Sequence, residues 1–267
     1  NISDYVEKFI ENKGYKPNEL QLFSKNNQDK NLMIIGSTGI GKTEGALLWS
    51  KNDKTFFTLP LRISINAIYE RIIENIDYKH VGLLHSTAID YLEEKAENQN
   101  YTKEKIEEDE IAKVEQSRNL YEKITSCTID QIFPFVFKYR GYEKIYATLS
   151  YSKVIIDEIQ AYSPQIVAVI LKGLQMINNL GGKFMIMTAT LPRIYKEKLE
   201  DMGIKFEYQE FTKNTKRHKI KMLDKNINED VSEIYEKSKS KKVLIIVNTI
   251  NKAIEIYDNL KSIGADN

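Results

Sequence analysis

Apolar residues fall into two alternating rhythms along most of the chain. At Ile2, Tyr5, Val6, Phe9 and Ile10 the spacing is helical, predicting a helix over 2–12 with Ser3 or Asp4 as its cap and Gly14 as its end. Short apolar runs then recur at 32–35, 55–60, 80–86, 123–128, 154–157 and 183–192. A strand covered on both faces reads as such a run. Helical stripes separate the runs, for example Ile65, Ile68, Tyr69, Ile72 and Ile73, or Ile129, Ile132, Phe133, Val136 and Phe137 behind a possible cap at Thr128. Strands alternating with helices predict an α/β fold, a parallel central sheet flanked by helices.

Two stretches break the rhythm. Residues 93–122 mix Glu, Lys, Asn and Gln with few apolar positions, predicting an exposed helical excursion whose alternating charges mean a solvated face more often than a docking surface. Residues 205–210 and 217–223 alternate enough to be strands, joined by the basic segment 212–217. A further apolar run at 241–249 precedes a helical stripe at Ala253, Ile254, Ile256, Tyr257 and Leu260. The expected organisation is a first domain over 1–212, a linker with connecting elements over 213–240, and the start of a second α/β domain over 241–267, of which only one strand-helix unit is present.

Chemistry concentrates at strand ends. After the first run come Gly36, Ser37, Thr38, Gly39, Ile40, Gly41, Lys42 and Thr43, the phosphate loop G-x-x-x-x-G-K-[ST] at every fixed position. Its glycines turn backbone N–H groups toward phosphates, Lys42 reaches the β/γ-phosphates, and Thr43 offers an oxygen to Mg²⁺. Adjacent acids, Asp157 and Glu158, end the fifth run, where phosphate-loop enzymes hold Mg²⁺; Asp157 would bind the metal through water and Glu158 would deprotonate the attacking water. Thr188 and Thr190 close the sixth run, to sense the nucleotide or simply to cap the next helix. Gln21 is a candidate reader of adenine, with a solvated helical glutamine as the alternative. Arg62, in the loop after the second run, can touch a phosphate backbone or only water, and for His85 a structural role is favoured.

Composition narrows the setting. The 267 residues are 42% hydrophobic and 29% charged with a net charge of +1, as in a soluble globular protein, and no apolar run approaches the length of a membrane span. One cysteine and three histidines give neither an internal disulfide nor zinc spacing, and no signal segment opens the chain, so a reducing cytoplasm is the expected compartment.

The order and spacing of Gly36 to Glu44, Leu59-Pro-Leu-Arg62, Asn66-Ala-x-x-x-Arg71, Leu84-His-Ser86, Thr128-Ile-Asp-Gln131, Asp157-Glu-x-Gln-Ala-Tyr162 and Thr188-Ala-Thr-Leu-Pro192 resemble the superfamily 2 helicases, and within them the Cas3 family of type I CRISPR interference. The resemblance implies a RecA-like fold, ATP and Mg²⁺ as cofactors, Gln21 at the adenine, and Glu44 together with the loop at the nucleotide. It implies coupling by Thr188 and Thr190, and Pro60, Arg62, Thr128 and Gln131 along a single-stranded DNA track. ATP-driven 3′-to-5′ translocation after an RNA-guided surveillance complex exposes the DNA would be the reaction. No His-Asp pair occurs, so nuclease activity is not expected of this chain, and whether an HD nuclease is fused ahead of the helicase or is a separate partner stays open. A superfamily 2 helicase acting on other DNA or on RNA, and a nucleotide-dependent binding switch without unwinding, are the alternatives. Arginines of the second helicase domain, which stabilise the transferring phosphoryl group, are not in the sequence, so weak hydrolysis is expected of it.

Overall fold

The computed structural model describes residues 1–97, 112, 113, 115–211 and 222–264. Most of the expected charged excursion and most of the run at 217–223 lie outside the described residues. The chain divides into two compact units, Asn1–Lys213 and Asn214–Asn267.

In the first unit, seven strands form one sheet: β1 (Leu32–Gly36), β2 (Lys54–Thr58), β3 (Val81–Leu84), β4 (Ile124–Cys127), β5 (Ser152–Asp157), β6 (Lys183–Thr188) and β7 (Glu207–Phe211). Their order is β3-β4-β2-β5-β6-β1-β7 and every pairing is parallel. Alternating side chains feed two cores. Leu32, Ile34, Phe57, Ile155, Met185 and Met187 face the helices α1 (Ile2–Asn12), α2 (Glu19–Asn26), α3 (Lys42–Ser50) and α4 (Arg62–Glu70). Met33, Phe56, Val154, Ile156, Phe184 and Ile186 face the opposite layer, which includes Tyr142–Leu149, Pro164–Leu180 and Arg193–Asp201. With both faces covered, the strands tolerate continuous apolar runs, which is why periodicity found them.

Three local expectations change. Asn1, not Ser3 or Asp4, caps α1 by accepting from the Ser3 N–H at 3.0 Å, while the Ser3 hydroxyl donates to the Leu48 carbonyl and fastens α1 to α3. The expected helix over 129–137 is a single α-turn, Ile129–Ile132, followed by a 3₁₀ turn, Phe133–Phe137. Pro134 has no N–H for an α ladder, and the tighter winding swings Phe137 out of the apolar stripe, leaving it 54% exposed. Thr128 takes the cap position of that turn but its side chain makes no capping bond.

The described part of the second unit holds a 3₁₀ turn and two helices, Val231–Ser238 and Ile250–Ser262. The Tyr235 hydroxyl donates to the Gly264 carbonyl at 3.0 Å and joins the helices. The expected strand over 241–249 is not formed, and Leu244 and Ile246 are 83% and 81% exposed. A strand is stable only where a neighbour takes its N–H and C=O groups, and the described residues of this unit provide none.

One buried cation ties the phosphate-loop helix to the sheet. Lys153 of β5 is 3% exposed, donates to the carbonyl of Trp49 at 2.6 Å, lies 4.9 Å from the centre of the Trp49 ring and pairs with Asp53 at 2.9 Å. It thereby satisfies a carbonyl at the C-terminus of α3, where the helix dipole favours positive charge. Lys153→Met should lower unfolding stability by about 2 kcal/mol, because it leaves that buried acceptor without a donor. Urea unfolding of the two proteins measures the difference, and equal midpoints would show that the charge contributes nothing.

Candidate nucleotide site and nucleic-acid edge

All the strand ends that sequence reasoning singled out lie on the C-terminal edge of the parallel sheet, the side on which open α/β sheets bind ligands. Gly39 and Gly41 adopt φ of +75° and +88°, conformations open to glycine at little cost, and Gly41 begins α3. A Cβ on Gly41 would also come within 2.6 Å of the Gln21 side-chain nitrogen. Gln21 is 6% exposed, so it is not a solvated helical glutamine. It belongs to a reciprocal cap in which the Gln21 N–H donates to Asn18 Oδ1 and the Asn18 N–H donates to Gln21 Oε1, each at 3.0 Å. Asn18 also donates from Nδ2 to the Ile40 carbonyl at 2.7 Å and so holds the loop. The amino half of the Gln21 amide, which faces the loop, is the half left for a ligand.

Lys42 Nζ lies 3.1 Å from the Gly36 carbonyl and 3.3 Å from Glu158 Oε1, with its side chain 10% exposed. Glu158 itself has φ of +53°, a strained value for a residue with a Cβ, held by bonds from its N–H to the Met187 carbonyl at 3.0 Å and to Asp157 Oδ1 at 2.9 Å. Its second oxygen, Oε2, accepts from Gln160 Nε2; Gln160 Oε1 faces the Thr188 hydroxyl. That hydroxyl also lies 2.7 Å from the Thr190 carbonyl and accepts the Thr190 N–H at 3.1 Å. A hydroxyl has one proton, so Thr188 donates to Gln160 or to Thr190 but not to both. A polar chain therefore runs from Lys42 through Glu158 and Gln160 to Thr188 and Thr190. The strand order explains it, because β6 lies between β1 and β5 and brings Thr188 between the loop and the acids. Thr188 does not cap the following helix, whose cap position is Pro192.

Asp157 is 7% exposed, and burial pushes its carboxyl up to about 7; nearby Lys42 opposes the rise, Glu158 adds to it, and the Glu158 N–H opposes it. Asp157, Thr43 and Lys42 line one cavity of ≈ 830 Å³ with Phe9, Tyr15, Gln21 and Arg71. No group of three or more metal-ligating side chains occurs among the described residues. A threonine hydroxyl and one carboxylate beside a phosphate cradle nevertheless fit Mg²⁺, which takes most of its ligands from phosphate and water. Glu44 does not point freely at a ligand: its side chain is 5% exposed and paired to Arg71.

The four residues expected along a nucleic-acid track occupy the other half of the same edge. Thr58 pairs with Cys127, so Pro60 and Thr128 follow adjacent strand ends. Arg62 is exposed at the start of α4, Gln131 donates to Asp130 at 2.7 Å, and the Thr128 hydroxyl is buried without a partner. His85, at the end of β3, is 4% exposed, with Nε2 2.7 Å from Asn66 Oδ1 and Nδ1 accepting the Thr87 N–H at 3.3 Å. A proton on Nε2, donated to Asn66 Oδ1, and a bare Nδ1 that accepts from Thr87 describe the neutral ring, in keeping with a pKa lowered by burial and then by Arg62, with Asp130 opposing. His85 is thus a structural residue that fastens Asn66.

The sequence profile of the DEAD/DEAH box helicases matches residues 17–198, from just before Gln21 to beyond Thr190. The chain belongs to this helicase family. It is 30% identical over 95% of its length to the CRISPR-associated nuclease/helicase Cas3 of Methanothermobacter thermautotrophicus and 27% identical over 92% to a second protein given that description, from Methanocaldococcus jannaschii. It spans 32% and 36% of those two proteins, about a third of their length. Among solved structures, T. fusca Cas3 superposes with a TM-score of 0.57 at 21% identity, covering 73% of this chain and 23% of that one, a likeness of fold. The resemblance to the Cas3 branch is therefore present in sequence as well as in motif order.

Three residues of the helicase site escaped the sequence reading of individual roles. Asn18 carried a signal, since Asn followed by Gln three positions later is a capping-box pattern. Arg71 and Gln160 stood within the quoted motifs, but their partners, Glu44 and the pair Glu158 and Thr188, are distant in sequence or in layer.

Asp157 also gives a signed dependence on pH. A carboxyl raised from 3.8 to about 7 favours the fold while protonated; that stability is complete below about pH 4 and is lost as pH rises through 7. Asp157→Asn should therefore be more stable than the parent at about pH 8, by on the order of 2 kcal/mol, with the advantage gone at about pH 4. It should at the same time lose the Mg²⁺ dependence of nucleotide binding. Thermal unfolding at the two pH values and titration with a fluorescent nucleotide check both halves.

Proposed function

We propose that the chain is the ATP-hydrolysing part of a Cas3-type translocase that moves along single-stranded DNA exposed by an RNA-guided complex. The observation that supports this most is the polar chain from Lys42 to Thr190, because a nucleotide switch that moved nothing would have no use for a connection that carries phosphate charge out of the loop to the end of a different strand, β6. In this reading Lys42 and the loop N–H groups hold the β/γ-phosphates, and Thr43 and Asp157 hold Mg²⁺, which when bound neutralises charge on the phosphate oxygens. Glu158 orients the attacking water and takes its proton as the water oxygen bonds to the γ-phosphorus and the bond to ADP breaks. Gln160 fixes the free carboxylate oxygen of Glu158, so loss of the phosphoryl group changes the bonding of Thr188 and Thr190.

Pro60, Arg62, Thr128 and Gln131 grip sugar and phosphate without reading bases. Residues 213–240 serve as linker and 241–267 as the beginning of a second RecA-like domain, which in the complete motor closes over the nucleotide and supplies its arginines. The surveillance complex and an HD nuclease, fused or separate, are the partners this reading implies.

Turnover of ATP with single-stranded DNA, with single-stranded RNA and without nucleic acid, measured on this chain and on one extended to the length of its relatives, tests the proposal. The extended chain should be stimulated by DNA and not by RNA, and should exceed the short one by 10³ or more, the usual worth of a catalytic arginine. Stimulation by RNA alone would move the protein to another branch of the superfamily. Equal DNA-stimulated rates in both chains would place the catalytic arginine elsewhere.

Two substitutions separate chemistry from coupling in the extended chain. Glu158→Gln should keep nucleotide affinity while turnover stops. Gln160→Ala should keep nucleotide affinity but lower the ratio of DNA-stimulated to basal turnover about 5- to 30-fold, the range of a coupling contact. A Gln160→Ala enzyme with full DNA stimulation would exclude it from the relay.

A further inference from the structure

Residues 137–140 read Phe-Lys-Tyr-Arg, and all four are exposed. Phe137 and Tyr139 are 54% and 68% exposed, with ring centroids 5.7 Å apart at 32°. Between them Lys138 takes φ of +52°, a left-handed conformation that costs a lysine energy and that brings two rings of alternate residues side by side. The turn beneath them is firmly seated. Phe135 is 1% exposed and stacks on Tyr146 at 5.7 Å, and Phe133 packs so closely on Gly173 that a Cβ there would come within 2.7 Å of its ring. Lys138 and Arg140 enter no ion pair or side-chain hydrogen bond among the described residues.

The same piece of chain begins at the lip. Thr128 and Gln131 stand at the end of β4, and the α-turn and 3₁₀ turn carry the chain roughly 15 Å along their axis to Phe137. Two adjacent aromatic faces flanked by two exposed cations match a ligand that alternates planar rings with negative charges. Single-stranded nucleic acid has that chemistry, and every base offers a face for stacking whatever the sequence.

We infer that Phe137, Lys138, Tyr139 and Arg140 form an accessory grip for single-stranded nucleic acid, continuous with the lip at Thr128 and Gln131, in which the rings stack on bases and the cations meet phosphates. The inference rests on the proposed nucleic-acid track and extends it down the flank of the domain. It accounts for the exposure of Phe137 and for a strained lysine where glycine would be easier.

Fluorescence anisotropy of a labelled oligothymidylate with the 267-residue chain tests it, over a series of salt concentrations. The double variant Phe137→Ala, Tyr139→Ala should bind about tenfold more weakly with an unchanged salt slope, since stacking releases no counterions. The double variant Lys138→Gln, Arg140→Gln should lower the slope of log K against log salt by about 1.4, two phosphate contacts at about 0.7 each on a single strand. All substituted positions are on the surface, so melting temperature and nucleotide binding should match the parent. If Arg62→Ala weakens binding while both double variants bind like the parent, the grip is wrong, the lip stands, and the aromatic face belongs to a protein partner. If the parent itself does not bind the oligonucleotide, the track and the grip fall together.

Discussion

The ammonium of Lys42 is almost withdrawn from solvent between the Gly36 carbonyl and the Glu158 carboxylate, and the organisation of the edge follows from the need to hold that charge in place. A buried cation is tolerable only when paired, so the loop after β1 and the acids after β5 must face one another across β6. In the proposed reading a triphosphate competes with Glu158 for this cation, and displacing the carboxylate disturbs Gln160 and, through it, Thr188, so that binding and signalling would be one exchange of partners.

That exchange depends on costs accepted elsewhere. Glu158 occupies a backbone conformation unfavourable for it, and Asp157 is buried deeply enough to hold a proton near neutrality. Such groups persist because the sheet around them overdetermines their positions: Ile156 and Met187 are wholly buried on either side, and Lys153 fastens the far end of α3 to β5. Stability is spent at the C-terminal edge and recovered in the two apolar layers and at the opposite edge.

The same edge also separates two kinds of ligand contact. Between β5 and β1 it presents charge and N–H groups suited to phosphates, whereas between β3 and β2 it presents Arg62, a buried and unpaired Thr128 hydroxyl, and a neutral His85 that only positions Asn66. Tyr162 connects the halves in composition if not by a bond: its buried hydroxyl has no partner, and burial raises its pKa together with the charges of Cys127, Asp130 and Asp157. In the proposed motor both ligands would meet this one edge of the sheet.

The sequence by itself determined the strands, because runs such as Met33 to Ile34 or Val154 to Ile156 are apolar on both sides and only a doubly covered sheet can bury them. It determined the phosphate loop and the acid pair as well, since glycine conformations and local carboxylates are properties of neighbouring residues. Tertiary structure alone decided which distant partners meet: Arg71 with Glu44, Gln160 with Thr188, Asn66 with His85, and Gln21 turned into a cap rather than toward water. It also decided where propensity fails. The apolar run at 241–249 finds no neighbouring strand among the described residues and is irregular, and Phe137 is wound out of its stripe by a 3₁₀ turn. In each case the deciding quantity was a hydrogen-bond or packing partner far away in sequence, which no local pattern of residues encodes.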